Sequence, residues 1–131
     1  MTPFLRNIKK RLDKMGFDVM GINPKNKEGE YFRNNIWWWG KLWVVCCYLL
    51  NDDDGKVDLK KGFHNDGLEI KGDIHKKLVG RLKEVLDNPI LCIELEKCLT
   101  PKGEEDCRQF DIGNVRNFYE FISNNKGFAI W

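Results

Sequence analysis

Residues 36–50 read IWWWGKLWVVCCYLL. At helical spacing Trp39, Trp43, Cys47 and Leu50 share one side of this run. Trp38, Leu42, Val45 and Leu49 share the neighbouring side. A helix apolar on most sides is one surrounded by other elements, so the stretch predicts a buried central helix. A pair of strands is the alternative, because Trp, Val, Cys and Tyr also suit sheets. Gly40 and Lys41 interrupt the run. Its uninterrupted apolar part, 42–50, is far short of the ~20 residues a bilayer span requires, and no membrane partner is expected.

Upstream, Thr2 and Pro3 read as an N-cap and a first helical residue. Phe4, Leu5, Ile8, Leu12 and Met15 follow on one helical face, and Gly16 stands where a helix stops. Residues 17–22, FDVMGI, predict a strand, and 23–30, NPKNKEGE, a polar loop. Downstream, 51–67 is turn-rich. Asp73 is then expected to cap a helix over DIHKKLVGRLKEVLDN. Its buried stripe is Ile74, Leu78, Leu82, Val85 and Leu86, its polar side includes His75, and Asn88-Pro89 ends it. Residues 90–99, ILCIELEKCL, suit a helix or a strand. RQFDI, 108–112, predicts a strand. Asp111 or Asn114 then caps a helix with Val115, Phe118, Phe121 and Ile122 apolar. Gly127 precedes a terminal strand, FAIW. The expected architecture is α+β: about four helices packed around a small antiparallel sheet, as a single domain over 1–131.

A chain of 131 residues buries roughly two thirds of its unfolded surface, enough for a core without disulfides or metal. The 22 basic and 20 acidic residues leave a net charge of +2, too balanced for binding a nucleic-acid backbone by charge, so nucleic acid is not expected as a partner. Five cysteines are an odd number, two of them are adjacent, and the N-terminal segment reads as an amphipathic helix rather than a signal peptide. A reduced, cytoplasmic compartment is the expectation.

Two metal motifs fail on spacing. With Gly55 as the sixth residue of a calcium loop, the first is Leu50 and the twelfth Lys61, where Asp and Glu are needed. No CxxC pair occurs, and Cys92, Cys98 and Cys107 match no common zinc spacing, so no metal or other cofactor is expected. Cys46 and Cys47 read as small core residues. Two polar blocks carry more chemistry. FHNDG, 63–67, holds His64, Asn65 and Asp66, either as a strong turn signal or as a base with an orienting carboxylate. YFRNN, 31–35, offers Arg33 for phosphate or carboxylate, Asn34 and Asn35 for polar edges, and Tyr31 or the following Trp37 for stacking. The competing reading makes the asparagines a cap for the Trp-rich helix and pairs Arg33 with a surface acid.

GEYFRNNIWWWGKLW, FHNDG and FDIGNVRNFYEFISNNKGFAIW together resemble a family of small uncharacterised bacteriophage and prophage proteins. Those proteins carry a GEYFRNNxWWWRPLW-like block, a GHYNDG-like block and a similar C-terminal segment. This chain departs from them with Gly40-Lys41 in place of Arg-Pro, and it lacks the paired CxxC knuckles many of them insert. The resemblance implies that the two polar blocks work as one ligand site: Tyr31, Arg33, Asn34, Asn35, Trp37, His64, Asn65 and Asp66. It also implies a location in the cytoplasm of a bacterial host. The expected function is capture of a nucleotide-like or other anionic small molecule, for instance a host defence signal, without turnover and with no catalytic residue assigned. The alternatives are a module that binds a host or phage protein, and a small phosphodiesterase-type hydrolase using His64. A homo-oligomer is compatible with each.

Overall fold

The computed structural model describes residues 2–51, 57–103 and 105–131, with backbone only at 9, 10 and 12–14. The Asp52–Gly55 motif falls outside the described residues. In chain order the elements are α1 (Pro3–Lys14), β1 (Gly16–Ile22), β2 (Tyr31–Asn35), α2 (Ile36–Leu49), β3 (Leu68–Lys71), α3 (Asp73–Leu86), α4 (Pro89–Leu99), α5 (Ile112–Ser123) and β4 (Gly127–Ile130). Short 3₁₀ turns occupy Lys27–Gly29 and Leu59–Phe63. Among the described residues, five helices and a four-stranded antiparallel sheet of order β2-β1-β4-β3 make an α+β arrangement. No helix among the described residues is long and apolar enough to cross a membrane.

The Trp-rich stretch is a helix at the centre of the core, as its all-round apolarity requires. Trp39, Leu42, Trp43 and Cys46 are fully buried, while Trp37 and Trp38 are half-buried. The Trp39 indole stacks between Phe17 and Trp43, with ring centroids 5.4 and 5.6 Å apart, and Phe118 meets it edge-on. Each buried indole N–H has a carbonyl: Trp39 Nε1 donates to Gly62 at 2.7 Å and Trp43 Nε1 to Leu59 at 2.8 Å. The 3₁₀ turn at Leu59–Phe63 is thereby fastened to α2.

Local caps start the helices. Thr2 Oγ1 accepts from the Leu5 amide, Asn35 Oδ1 from Trp37, Asn88 Oδ1 from Leu91 and Asp111 Oδ1 from Asn114. Asn88-Pro89 thus both ends α3 and begins α4. Three expectations, on Asp73, RQFDI and His75, need correction. Asp73 is the first residue of α3 rather than its cap; Gly72 holds the cap position at φ 67°, with no side chain to bond the amides above it. RQFDI forms no strand: its Gln109 amide donates to the Trp37 carbonyl, and Phe110 is buried in the core. His75 is buried, because the first turn of α3 packs on the end of α5. The apolar face of α1 is exposed at Phe4, Leu5 and Ile8.

Lys41 ends up buried, with Nζ donating to the Leu99 carbonyl at 2.6 Å and to Asp106 Oδ2 at 2.8 Å. One cation so ties α2 to the end of α4 and to the following loop. The Lys41 hydrogen bond, helped by the Arg108 amide, holds the Asp106 carboxyl down at about 2. A depressed carboxyl contributes stability above its unfolded value of 3.8, and that contribution is lost as pH falls towards 2. Lys41→Met is expected to cost about 1–3 kcal/mol at neutral pH, because the Leu99 carbonyl loses its partner. In urea denaturation the gap between wild type and variant should narrow as pH falls from about 5 to about 2. A gap independent of pH over that range counts against the pairing.

Candidate functional site

The strand β2 alternates its side chains, and this divides the YFRNN block. Tyr31 and Arg33 face the open side of the sheet, across from Met20 and Asp18 of β1. There the Tyr31 hydroxyl and Arg33 Nη1 both donate to Asp18 Oδ1, the latter at 2.7 Å. These bonds, Tyr31 first, lower the Asp18 carboxyl below its usual value. Asn34 points the other way and exchanges two amide hydrogen bonds with Asn114 at the start of α5, at 3.0 and 2.8 Å. Asn35 is spent on the α2 cap. Arg33 and Asn34 therefore sit on opposite faces of the sheet.

The two polar blocks do meet, at Gly16. Asn65 Nδ2 donates to the Gly16 carbonyl at 2.7 Å and to the Trp131 carbonyl at 3.1 Å. The Arg33 guanidinium lies over the same glycine, Nη2 2.9 Å from where a Cβ would stand. Gly67, at φ 86°, carries the chain past the Trp131 indole, where a side chain would not fit. His64 and Asp66 are exposed and make no side-chain hydrogen bond to a described residue. The result is a shallow face carrying two exposed rings, Tyr31 and Trp131, with its central polar groups bonded to one another.

The opposite end of the sheet holds a true cleft. It measures about 650 Å³, and Lys25, Lys76, Lys126, Ser123, Asn125 and His75 line it. That volume suits a small ligand. Three chain crossings bring the lysines together. Lys25 follows β1, its amide held by the Asn124 carbonyl. Lys126 precedes β4, its amide held by Ile22. Lys76 sits in the first turn of α3, whose glycine cap makes no side-chain hydrogen bond and whose first residue is the acidic Asp73. Among the described residues none of the three ammonium groups has an ion-pair partner.

The floor of this cleft is rigid. Asn125 is buried and uses both ends of its amide: Nδ2 donates to the Gly29 and Phe121 carbonyls, each at 3.1 Å, and Oδ1 accepts from the Gly127 amide at 3.2 Å. His75 Nε2 faces two acceptors, the Ile122 carbonyl at 2.9 Å and Asn125 Oδ1 at 3.0 Å. It must therefore carry the proton, which leaves Nδ1 as an acceptor with no partner among the described residues. Burial, with the Lys25 charge adding to it, lowers the pKa of the ring below 6.5 and keeps it neutral.

Sequence reasoning missed this cleft. Its lysines stand in ordinary mixed-charge runs some fifty positions apart, and only the Gly72 break before a long helix marks its position. No group of three or more His, Cys, Asp and Glu among the described residues is placed to hold a metal ion. Burial raises the Cys46 thiol well above its usual pKa and brings Cys47 to about 11, so neither is a ready nucleophile. Compared with protein-family models, curated proteins and solved structures, the chain matches none of them.

Proposed function

We propose that the protein binds an anionic, phosphate-bearing small molecule in the Lys25–Lys76–Lys126 cleft and holds it without turnover. The observation that carries this reading is that three lysines, none ion-paired to a described residue, line one cleft beside the first turn of α3. A phosphate held in this cleft gains a charge-assisted bond from each lysine that it reaches. Ser123 lines the same cleft; its hydroxyl donates to the Glu120 carbonyl at 3.2 Å and keeps its lone pairs for a ligand hydroxyl, such as a nucleotide or sugar phosphate carries. The phage-protein resemblance adds a context in which capture of a signalling nucleotide is useful.

Calorimetric titration with a nucleoside diphosphate and with pyrophosphate tests the site. Lys25→Ala, Lys76→Ala and Lys126→Ala are each expected to weaken binding about 5–20-fold, at about 1–2 kcal/mol per charge-assisted bond, with little change in melting temperature. Binding should also weaken with added salt, since exposed charges are screened. Unchanged affinity in all three variants removes the cleft from the reading.

The open face around Gly16 supports a second reading, because both polar blocks and two exposed rings gather there. A base stacked on Tyr31 or Trp131 would make Arg33→Ala, not the lysine variants, the damaging change. His64→Ala that abolishes conversion of the ligand while sparing binding would point to the hydrolase instead.

A further inference from the structure

Of the 22 basic residues in the chain five, Arg6, Lys9, Lys10, Arg11 and Lys14, fall on α1, against one of the 20 acidic residues, Asp13. The helix therefore carries a net charge of +4, and the rest of the chain, with 17 basic and 19 acidic residues, a net −2. The near-neutral total conceals this partition. The same helix separates its apolar from its polar residues more sharply than any other helix among the described residues. At 3.6 residues per turn Phe4, Leu5 and Ile8 share an arc of about 100°, and the helix positions of Lys9 and Arg11 border it on either side. That arc faces solvent: Phe4 is 72% exposed, Leu5 51%, and Met15, directly after the helix, 57%.

We propose that α1 lies on an anionic lipid surface, its apolar arc at the boundary of headgroups and acyl chains and its cations against lipid phosphates. Twelve residues are too few to span a bilayer and enough to lie in its interface. Three observations select this occupant. The first is charge. A net +4 is drawn to an anionic surface, and each Lys or Arg near that surface adds to the attraction. The same charge repels the α1 of a second copy. The second is the exposed apolar arc. A nucleic-acid backbone would engage the cations and leave Phe4, Leu5 and Ile8 in water, whereas a lipid interface takes up both kinds of residue. The third is the attachment of the helix. It lies beside α2, and the Met15 carbonyl that follows it accepts from the Ile36 amide at 3.3 Å. With one side occupied, α1 suits a flat surface better than a groove that encloses a helix. So small an apolar contact makes the binding reversible.

Flotation of the full chain with vesicles tests the contact. Vesicles of phosphatidylcholine with about 30% phosphatidylglycerol should bind the protein about 10-fold more tightly than phosphatidylcholine alone. That binding should weaken as sodium chloride rises from about 50 to about 500 mM. The paired substitutions Phe4→Ser with Leu5→Ser, and Lys9→Glu with Lys10→Glu, should each weaken it about 10-fold. The serine pair should leave the melting temperature nearly unchanged, since both side chains are exposed. Replacing Lys25, Lys76 and Lys126 together by Ala should leave vesicle binding intact, and the α1 variants should leave pyrophosphate binding intact, so this reading and the cleft fail separately. Four results overturn the proposal. One is no binding, or equal binding, to the two kinds of vesicle. Another is vesicle binding kept in both α1 variants. A third is vesicle binding lost only with the cleft lysines, which would place a headgroup in the cleft. The last is preference for duplex DNA over vesicles, with the glutamate pair damaging and the serine pair harmless.

Discussion

Trp39→Ala is expected to lose about 3–5 kcal/mol of folding stability, and Trp43→Ala about the same. The cost has two parts. Truncating a fully buried indole opens a cavity among rings that cannot close on it, because Phe17, Trp43 and Phe118 each hold one wall. Trp39→Ala also strands the Gly62 carbonyl, and Trp43→Ala leaves the part-buried Leu59 carbonyl with the weak Cys47 thiol donor. A loss of that size is a large share of the 5–15 kcal/mol by which a domain is stable. Urea denaturation followed by tryptophan fluorescence measures it. Losses under about 1 kcal/mol in both variants would mean that α2 is not the centre of the core. Trp39→Phe keeps one stacked ring but loses the second ring together with the N–H, so it should recover only part of the loss.

Asn125→Ala is the second large effect, at about 3 kcal/mol or more. Asn125 is 3% exposed and satisfies four neighbours at once. Removing its amide takes a partner from the Gly29 carbonyl and the Gly127 amide, and His75 loses one of its two acceptors, while the Phe121 carbonyl keeps the Asn124 amide. Each buried group left unpaired costs about 1–3 kcal/mol, and part of that is regained by water entering from the cleft. Because the residue forms the floor beneath Lys25 and Lys126, ligand affinity should fall along with stability. The same substitution therefore distinguishes a rigid site from three independent surface lysines. If affinity is kept while stability drops, the lysines act without the floor. Denaturation and titration of one preparation give both values.

Most helices were legible in the sequence because their signals are local, whereas 90–99 suited helix or strand equally and the structure makes it α4. Asn88-Pro89, Asp111 three residues before Asn114, and Thr2-Pro3 all act within one turn, so a single stretch of chain contains both donor and acceptor. The buried helix at 36–50 and the strand at 17–22 follow from periodicity in the same way. The alternation of β2 and β3 is weaker: YFRNN and LEIK mix polar and apolar residues, and their pairing with β1 and β4 gives them their structure. RQFDI shows the reverse. It has strand-like residues, yet its Gln109 amide bonds to α2 instead of a sheet partner.

The roles of the polar residues depended still more on distant neighbours. In isolation Asn34, Asn65 and His75 are a polar edge, a turn residue and an exposed helix side chain. Their partners are Asn114, Gly16 with Trp131, and Ile122 with Asn125, all forty-seven or more positions away. Only tertiary packing could bring Lys25, Lys76 and Lys126 to one wall, since no periodic pattern within a helix or strand relates residues at such separations. Sequence by itself determined which segments could be helix and which apolar faces needed burial. The tertiary structure decided which polar groups were consumed in holding the chain together and which kept no partner among the described residues.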